Sequence, residues 1–268
     1  MANIVFLVAG VLCSALGAWL LYTGRTRKRQ RDLMESTATS RISTLTEGPA
    51  EITGTAKPTE EHGTAPAPFT GEDCLVAEWE VEEWDEDDDG GRWWSKGQGV
   101  DGVPFLLEDD SGEVLVRPQG ATTEIDRSDR QTLEVGSTDP QPETIQQFIA
   151  RADTPGQPDR PLIAALDWGT QEGDRRYTQR LVRPGEQVYV YGTVQQKPED
   201  EHVWGGNVRN MLIQKLPADA TGEEPLFLIS DKSEEELVAD RSLATVRIVA
   251  GAVAGLLGVA ALVFGIVG

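Results

Sequence analysis

Two uncharged apolar runs, one near each end of the chain, constrain everything between them. Ile4 to Tyr22 and Ile248 to Val267 contain no Asp, Glu, Lys or Arg, and each approaches the roughly 20 residues that a helix needs to cross a bilayer. Inside hydrocarbon every backbone N–H and C=O must be bonded within its own segment, so both runs are expected as membrane-spanning helices. Trp19 and Tyr22 stand at the far end of the first run like an interfacial belt, and Arg25, Arg27, Lys28, Arg29 and Arg31 follow directly. A cleaved signal peptide carries its cations before the apolar core, the reverse order, so an uncleaved anchor is expected. Arg241 and Arg247 flank the second run on the same side. The positive-inside rule then puts the residues between the runs in the cytoplasm and both termini outside. Gly10, Ser14 and Ala18 in the first run, and Gly251 and Gly255 in the second, repeat at four-residue spacing. That spacing lets two membrane helices pack closely, although glycine is also simply common in such helices.

Between the runs lie enough residues for one sizeable core. Their chemistry is set by charge: 45 acidic residues face 24 basic ones, six Lys and eighteen Arg, for a net charge of −21. Nucleic acid and anionic lipid surfaces both demand basic protein, so neither is expected as a nonspecific partner. The acidic excess with scarce lysine also resembles the surface of a protein from a salt-rich cytoplasm, where self-repulsion is screened within a few Å. Cys13, Cys74, His62 and His202 are widely spread. Structural zinc takes four Cys/His ligands in close pairs, so no metal site and no disulfide framework is expected, and no cofactor.

The central stretch reads as strands. From Ala77 apolar and acidic residues alternate, with Ala77, Trp79 and Val81 set against Glu78, Glu80 and Glu82, the period-2 signature of a half-buried strand. Asp85 to Gly91 is its turn, and Arg92-Trp-Trp-Ser95 returns; an acidic tip without EF-hand spacing reads as a solvated loop. Val103 to Leu107 and Val114 to Val116 form a hairpin, with Gly112 expected in the left-handed conformation its loop needs. Thr46 to Ala56, Gln131 to Val135, Asn207 to Ile213 and Pro225 to Asp231 are further strand candidates. Pro142 to Ala152, with Ile145, Phe148 and Ile149 on one face, is a short amphipathic helix. Arg175 to Arg183, Pro184-Gly185 and Gln187 to Val194 read as a second hairpin around a type II turn. Ser233-Glu-Glu-Glu236 is a capping box opening a helix that runs toward the second span. The division is therefore a span at 4–22, a basic and polar stalk at 23–45, a β-rich domain at 46–232, a juxtamembrane helix at 233–247 and a span at 248–267.

Several of these pieces, in this order, resemble the GIDE or beside-a-membrane domain of the MULAN-type mitochondrial E3 ubiquitin ligases. They are the amino-terminal anchor, the strand from Cys74 to Trp84, Val103-Pro-Phe105 leading into Val114-Leu-Val-Arg-Pro118, the Arg183-Pro-Gly185 turn with Val188 to Val194, and Leu228-Ile-Ser-Asp231 before the second span. The resemblance implies a mainly β, α+β domain between two membrane helices, with an OB-like partly open barrel as its expected form. In that family a RING finger follows the second span and does the ligase chemistry. The sequence stops at Gly268 without a counterpart, so the expected chain is RING-less.

No G-x-S-x-G, H-E-x-x-H or G-x-x-x-x-G-K-[ST] occurs, and Cys74 in a strand reads as a small buried hydrophobe rather than a nucleophile. No catalytic residue is therefore named. A noncatalytic, membrane-anchored interaction domain for an unknown protein partner is the first reading. A subunit of a ubiquitin-like ligase system whose RING sits on another chain is the alternative, and a quality-control or protease-associated factor is a third. Arg175, Arg176, Arg180 and Arg183 form the basic cluster of the domain. They read either as partners of acidic neighbours or as a docking site for an acidic protein. The charge balance makes one prediction: as the Debye length falls from about 10 Å at 0.1 M salt to about 3 Å at 1 M, the unfolding midpoint of the protein rises. A flat or falling midpoint over that range in a thermal or urea titration contradicts it.

Overall fold

The computed structural model describes residues 2–37, 39–87, 90–126, 129–137, 139–152, 173–198, 201, 210–218, 225–233, 236–237 and 244–267. They form two units, Thr39–Lys232 and the pair Met1–Ala38 with Ser233–Gly268. In chain order the strands of the first unit are β1 (Gly48–Pro58), β2 (Ala65–Pro66), β3 (Asp73–Cys74), β4 (Val76–Asp87), β5 (Gly90–Gly102), β6 (Phe105–Glu108), β7 (Glu113–Val116), β8 (Thr122–Glu124) and β9 (Gln131–Val135). The helix α2 (Glu143–Ala152) follows, then β10 (Arg175–Val182), β11 (Gln187–Gln196), β12 (Met211–Gln214) and β13 (Leu228–Ser230).

A five-stranded barrel forms the centre. Its order is β1-β6-β7-β12-β11, and β1 returns to pair with β11, so the ring is closed. All contacts in the ring are antiparallel except β7 with β12. Numbering only the ring strands gives 1-2-3-5-4-1, the order of the OB-type barrel. Alternation fills the interior: Ile52 and Ala56 from β1, Phe105 and Leu107 from β6, Val114 and Val116 from β7, Val188, Val190 and Val194 from β11, and Ile213 from β12 are all buried in one cluster. β13 adds to β11 outside the ring, and β8 lies parallel to β13.

The second sheet, β5-β4-β10-β9, is antiparallel throughout. Here the sequence expectation for Pro184-Gly185 is corrected in part. Gly185 does take the left-handed value the turn demands, φ 90°. The strands on either side, however, do not pair with each other: β10 pairs with β4 and β9, while β11 pairs with β1, β12 and β13. The turn is a corner that passes the chain from one sheet to the other. Gly112 is a second correction, since its φ is not positive. The Asp109 carboxylate shapes that loop instead, accepting from the backbone N–H of Ser111 at 2.7 Å and of Gly112 at 2.9 Å, and through its other oxygen from Ile42 N–H at 2.9 Å. Burial works to raise the Asp109 pKa, but these backbone donors win and hold it below the ordinary carboxylate value.

The second unit is built on two long helices, α1 (Ala2–Ser36) and α3 (Ala244–Val267), each long and apolar enough to cross a membrane. Ahead of α3, Ser233 Oγ accepts from Glu236 N–H at 3.3 Å while the Glu236 carboxylate accepts from Ser233 N–H at 3.0 Å, the reciprocal bonds of a capping box. Most of the helix expected between that box and Arg247 lies outside the described residues, as do Asp88, Asp89, His202 and the start of the Asn207 strand candidate. The helices touch backbone to backbone. A Cβ on Gly17 would lie 2.5 Å from Gly255 N, one on Gly251 would lie 2.9 Å from Gly17 O, and one on Gly258 would lie 2.6 Å from Ser14 N. The stripe on α1 is thus Gly10, Ser14 and Gly17; Ala18 of the four-residue pattern is exposed. Seven residues bring a helix back to the same face more closely than eight, which is why Gly17 replaces Ala18. Gly17→Leu should cost the helix pair about 1–3 kcal/mol through overpacking, while Ala18→Leu stays near neutral. Denaturant titration of the two variants in detergent micelles checks this contrast.

Candidate functional site

Among the described residues, the second sheet carries a dense array of ion pairs and aromatic contacts. One face packs: Trp79 and Val81 of β4 and Tyr177 of β10 meet Phe69 and, from α2, Ile145 and Phe148. Phe69 lies edge-on to Trp79, Phe148 and Tyr177 at centroid distances of 6.5, 5.7 and 5.2 Å, the arrangement that aromatic quadrupoles favour. Gln179, a buried polar residue of this face, accepts from Phe69 N–H at 2.8 Å and donates to Thr70 Oγ1 and Gln131 Oε1.

The other face is ionic, and register explains it. β10 lies against β4 with Arg176 opposite Glu82 and Arg180 opposite Glu78. Arg180 Nη1 reaches Glu78 at 2.7 Å; Arg176 reaches Glu134 on β9 at 2.9 Å and Glu82 at 3.6 Å. The Arg176 guanidinium also lies 3.9 Å above the centre of the Trp93 ring, a cation–π contact. Arg175, one residue along the strand, points to the opposite face, where it pairs with Glu83 at 3.5 Å and Glu83 pairs with Lys96 at 3.2 Å. Arg183 sits at the corner into the barrel and holds Glu72 at 2.5 Å, Asp129 at 2.6 Å and Glu186 at 3.3 Å. The four arginines of the sequence cluster therefore occupy three places, with Arg176 and Arg180 sharing one face.

These pairings set the local titration. The hydrogen bond from Arg183, with help from Gln131, pulls the Glu72 pKa below its ordinary value. Glu78 goes the other way: burial raises it, and Arg180 and Thr123 offset only part of that cost. Arg183 is held still more firmly protonated by Glu72 and then Asp129.

The outer half of the β4–β5 hairpin adds a feature that sequence reasoning missed. Trp84 and Trp93, directly opposite each other, stack edge-to-face at 5.3 Å, and on the other face Arg92 lies 3.6 Å over Trp94, which is 43% exposed. Gly91 must be glycine, since a Cβ there would fall 2.1 Å from the Trp84 indole. The signal in the sequence was Arg92-Trp-Trp94 placed to pair with Trp84, legible only once the hairpin register is known.

On the barrel, a row crosses β1, β6, β7, β12 and β11 in register, Lys57, Leu106, Leu115, Leu212 and Gln195. OB-type barrels bind ligands on the face of their second and third strands, here β6 and β7. On this face the centre of the row is aliphatic. Nucleic-acid-binding barrels present stacking aromatics and cations instead. No group of three His, Cys, Asp or Glu side chains among the described residues is arranged to hold a metal ion.

A closed five-stranded barrel with a second, ionic sheet defines a β-barrel domain, in a chain that also carries two helices long and apolar enough to span a membrane. The comparison with known families gives it a name. Residues 82–264 match the GIDE family, described as E3 ubiquitin ligase; the match covers more than half of the chain, and the chain belongs to the GIDE family. No curated protein and no solved structure matches it.

Cys74 is buried among Ala67, Ala77 and Leu181. Burial first, and then Asp101, pushes its thiol pKa up to about 12. Little thiolate exists at neutral pH, and the thiolate is the reactive form. In the folded protein Cys74 should resist alkylation by iodoacetamide at pH 8 and become reactive only in denaturant, as read by peptide-resolved mass spectrometry. Rapid native labelling would show that it is a reactive thiol after all.

Proposed function

We propose that this GIDE protein is a membrane-anchored, noncatalytic interaction module that binds or scaffolds protein partners at a bilayer. Residues 46–232 do the binding, between spans at 4–22 and 248–267, a stalk at 23–45 and a juxtamembrane helix at 233–247. One observation carries this reading. Among the described residues, one face of the domain sets arginines beside a tryptophan, residue types enriched at protein interfaces, each held in place by carboxylates, whereas the Cys74 thiol is buried and held protonated. Arg175, Arg176, Arg180 and Arg183 are the proposed docking contacts. An acidic partner segment exchanges with their resident carboxylates, keeping each guanidinium paired as it binds. The aliphatic row on the barrel and the net charge of −21 support a protein rather than a nucleic acid as the ligand.

The family description, E3 ubiquitin ligase, favours a second reading in which the chain is a subunit of such a system and the RING is supplied by another chain. A RING folds around zinc held by closely spaced Cys and His pairs. Two Cys and two His, at 13, 74, 62 and 202, cannot build the two sites. The purified protein should therefore bind no stoichiometric zinc and should not by itself stimulate transfer of ubiquitin or a ubiquitin-like protein. Elemental analysis and a reconstituted transfer assay check both points; zinc near one equivalent, or transfer without an added RING protein, overturns the noncatalytic reading.

Orientation belongs to the same proposal. With Arg25 to Arg31, Arg241 and Arg247 all on the domain side, residues 46–232 face the cytoplasm and the termini lie outside. Protease added to intact cells should leave the domain whole and cut it only after permeabilisation. Digestion in intact cells reverses the orientation.

A further inference from the structure

The order β5-β4-β10-β9 makes β5 and β9 the edges of the second sheet, and β5 is the long one, with 13 residues against 5. Which backbone groups face outward from β5 follows from one bond. Trp84 N–H donates to Asp174 O at 2.8 Å, on the β10 side of β4, and in an antiparallel strand the N–H and C=O of one residue point the same way. Trp84 therefore turns neither group toward β5. Its pair with Trp93 is of the non-hydrogen-bonded kind, and the N–H and C=O of Trp93 point away from β4. The period of two gives Gly91 and Ser95 the same direction. On that side none of the three has a backbone partner among the described residues. Beyond them the register shifts, so that Val81 faces Gly97 and Glu82 faces Ser95. Lys96 is thus the extra residue of a β-bulge, which ends the regular edge at Ser95.

The side chains along this edge decide what fits it. Arg92 lies 3.6 Å over the Trp94 ring, and Lys96 reaches Glu83, the residue opposite Trp94, at 3.2 Å. Arg92, Trp94 and Lys96 therefore share one face, and all three are exposed. From Gly90 to Val100 the strand holds those two cations and no Asp or Glu, in a chain at −21. The carboxylates of β4 stand one strand further in. A strand added to β5 runs about 4.8 Å from it and about 10 Å from β4, beyond the Debye length of about 8 Å at physiological salt. We propose that an extended acidic segment of a protein partner adds to the outer edge of β5 as a fifth strand, its backbone bonding to Gly91, Trp93 and Ser95. It runs antiparallel, as every pair in this sheet does. Arg92 and Trp94 then stand in its non-hydrogen-bonded pairs, where side chains approach most closely. The residue opposite Trp94 is β-branched or aromatic, and those two positions to either side, toward Arg92 and Lys96, are acidic. A second copy of β5 fits worse, because antiparallel self-pairing brings these cations against their own kind with no carboxylate on the strand to receive them. The proposal rests on the reading that the domain binds an acidic protein and adds the place and the conformation: main-chain bonds supply affinity, and alternate side chains select.

The probe is a fluorescein-labelled peptide in which glutamate, valine and glutamate alternate with threonine, titrated by fluorescence anisotropy against the full chain in phosphatidylcholine nanodiscs. A second peptide is N-methylated at the threonines, the positions that donate to β5; it keeps every charge and loses the hydrogen bonds. The wild type should bind the first peptide roughly tenfold more tightly than the second. Ser95→Pro removes an outward N–H and no bond to β4, so it should keep its thermal unfolding midpoint and lose binding of the first peptide roughly tenfold. Arg92→Glu/Lys96→Glu should weaken the same peptide by a similar factor. Equal binding of the two peptides overturns strand addition and leaves an acidic partner docked on the Arg176 and Arg180 face standing. Binding of neither peptide at about 1 mM overturns the edge site and counts against the acidic-partner reading with it. Two-chain assemblies in native mass spectrometry of the wild type, absent in Ser95→Pro, overturn it in favour of a second copy. Should Ser95→Pro unfold, the two peptides compared on the wild type decide alone.

Discussion

Eight consecutive residue pairs join β1 to β11, from Gly48 opposite Val194 to Thr55 opposite Gln187, and the rest of the domain follows from them. They close the ring, so none of the five barrel strands is left as an open edge. Small residues on the two seam strands also let their other neighbours approach: a Cβ on Gly192 of β11 would fall 2.6 Å from Ile213 on β12, and one on Gly54 of β1 would meet the backbone oxygen of Glu108 on β6 at 2.5 Å. With both edges of β11 occupied, by β1 on one side and by β12 and β13 on the other, β10 has no place beside it. β10 instead inserts between β4 and β9, and the second sheet with its ionic face exists because of that displacement.

What the sequence displayed and what it hid divide along the same line. Features fixed by neighbours in the chain were legible: the alternation of Ala77, Trp79 and Val81, the helix at Pro142 to Ala152, the capping box at Ser233, and the left-handed Gly185. Features fixed by distant partners were not. The turn at Pro184-Gly185 was visible, but which sheets it joins is decided by β1, more than 100 residues earlier. Glu51, inside the Thr46 to Ala56 strand candidate, is buried, with Thr39 Oγ1 donating to its carboxylate at 2.9 Å, a partner the strand pattern does not reveal. Gly112 carried a turn signal that an aspartate three residues before it made unnecessary. The four arginines were visible as a cluster in sequence, but strand geometry splits Arg175 from Arg176, and only register pairs each with its carboxylate.

Those pairings do little for stability. Partly exposed ion pairs are worth about 0–1 kcal/mol each, and Glu78 is costly enough to bury that its pKa rises even beside Arg180. Their effect is on shape. A guanidinium held by Glu134 and laid over Trp93 is held in one orientation, so for the proposed docking the entropy of ordering that long side chain is already spent. Acidic surroundings reinforce this, because an arginine among so many carboxylates stays paired whichever one it holds. In the proposed docking, an incoming acidic segment would therefore compete by geometry more than by charge, which favours selectivity over affinity.

The barrel face bears on the same question from the other side. OB-type barrels bind nucleic acid by neutralising phosphates and stacking bases on aromatic rings, two terms that each need their own residue types. Here the row through β6, β7 and β12 places Leu106, Leu115 and Leu212, the first two half-buried and Leu212 buried, while on the second sheet Trp79 is buried in a core and Trp93 is covered by Arg176. The strand order is that of the OB-type barrel, and the described side chains at the centre of this row are aliphatic. Strand order depends on backbone pairing and inward-facing residues, and ligand chemistry depends on outward-facing ones. Because the two sets alternate along the same strands, either can change without the other, so strand order alone does not fix what the barrel binds.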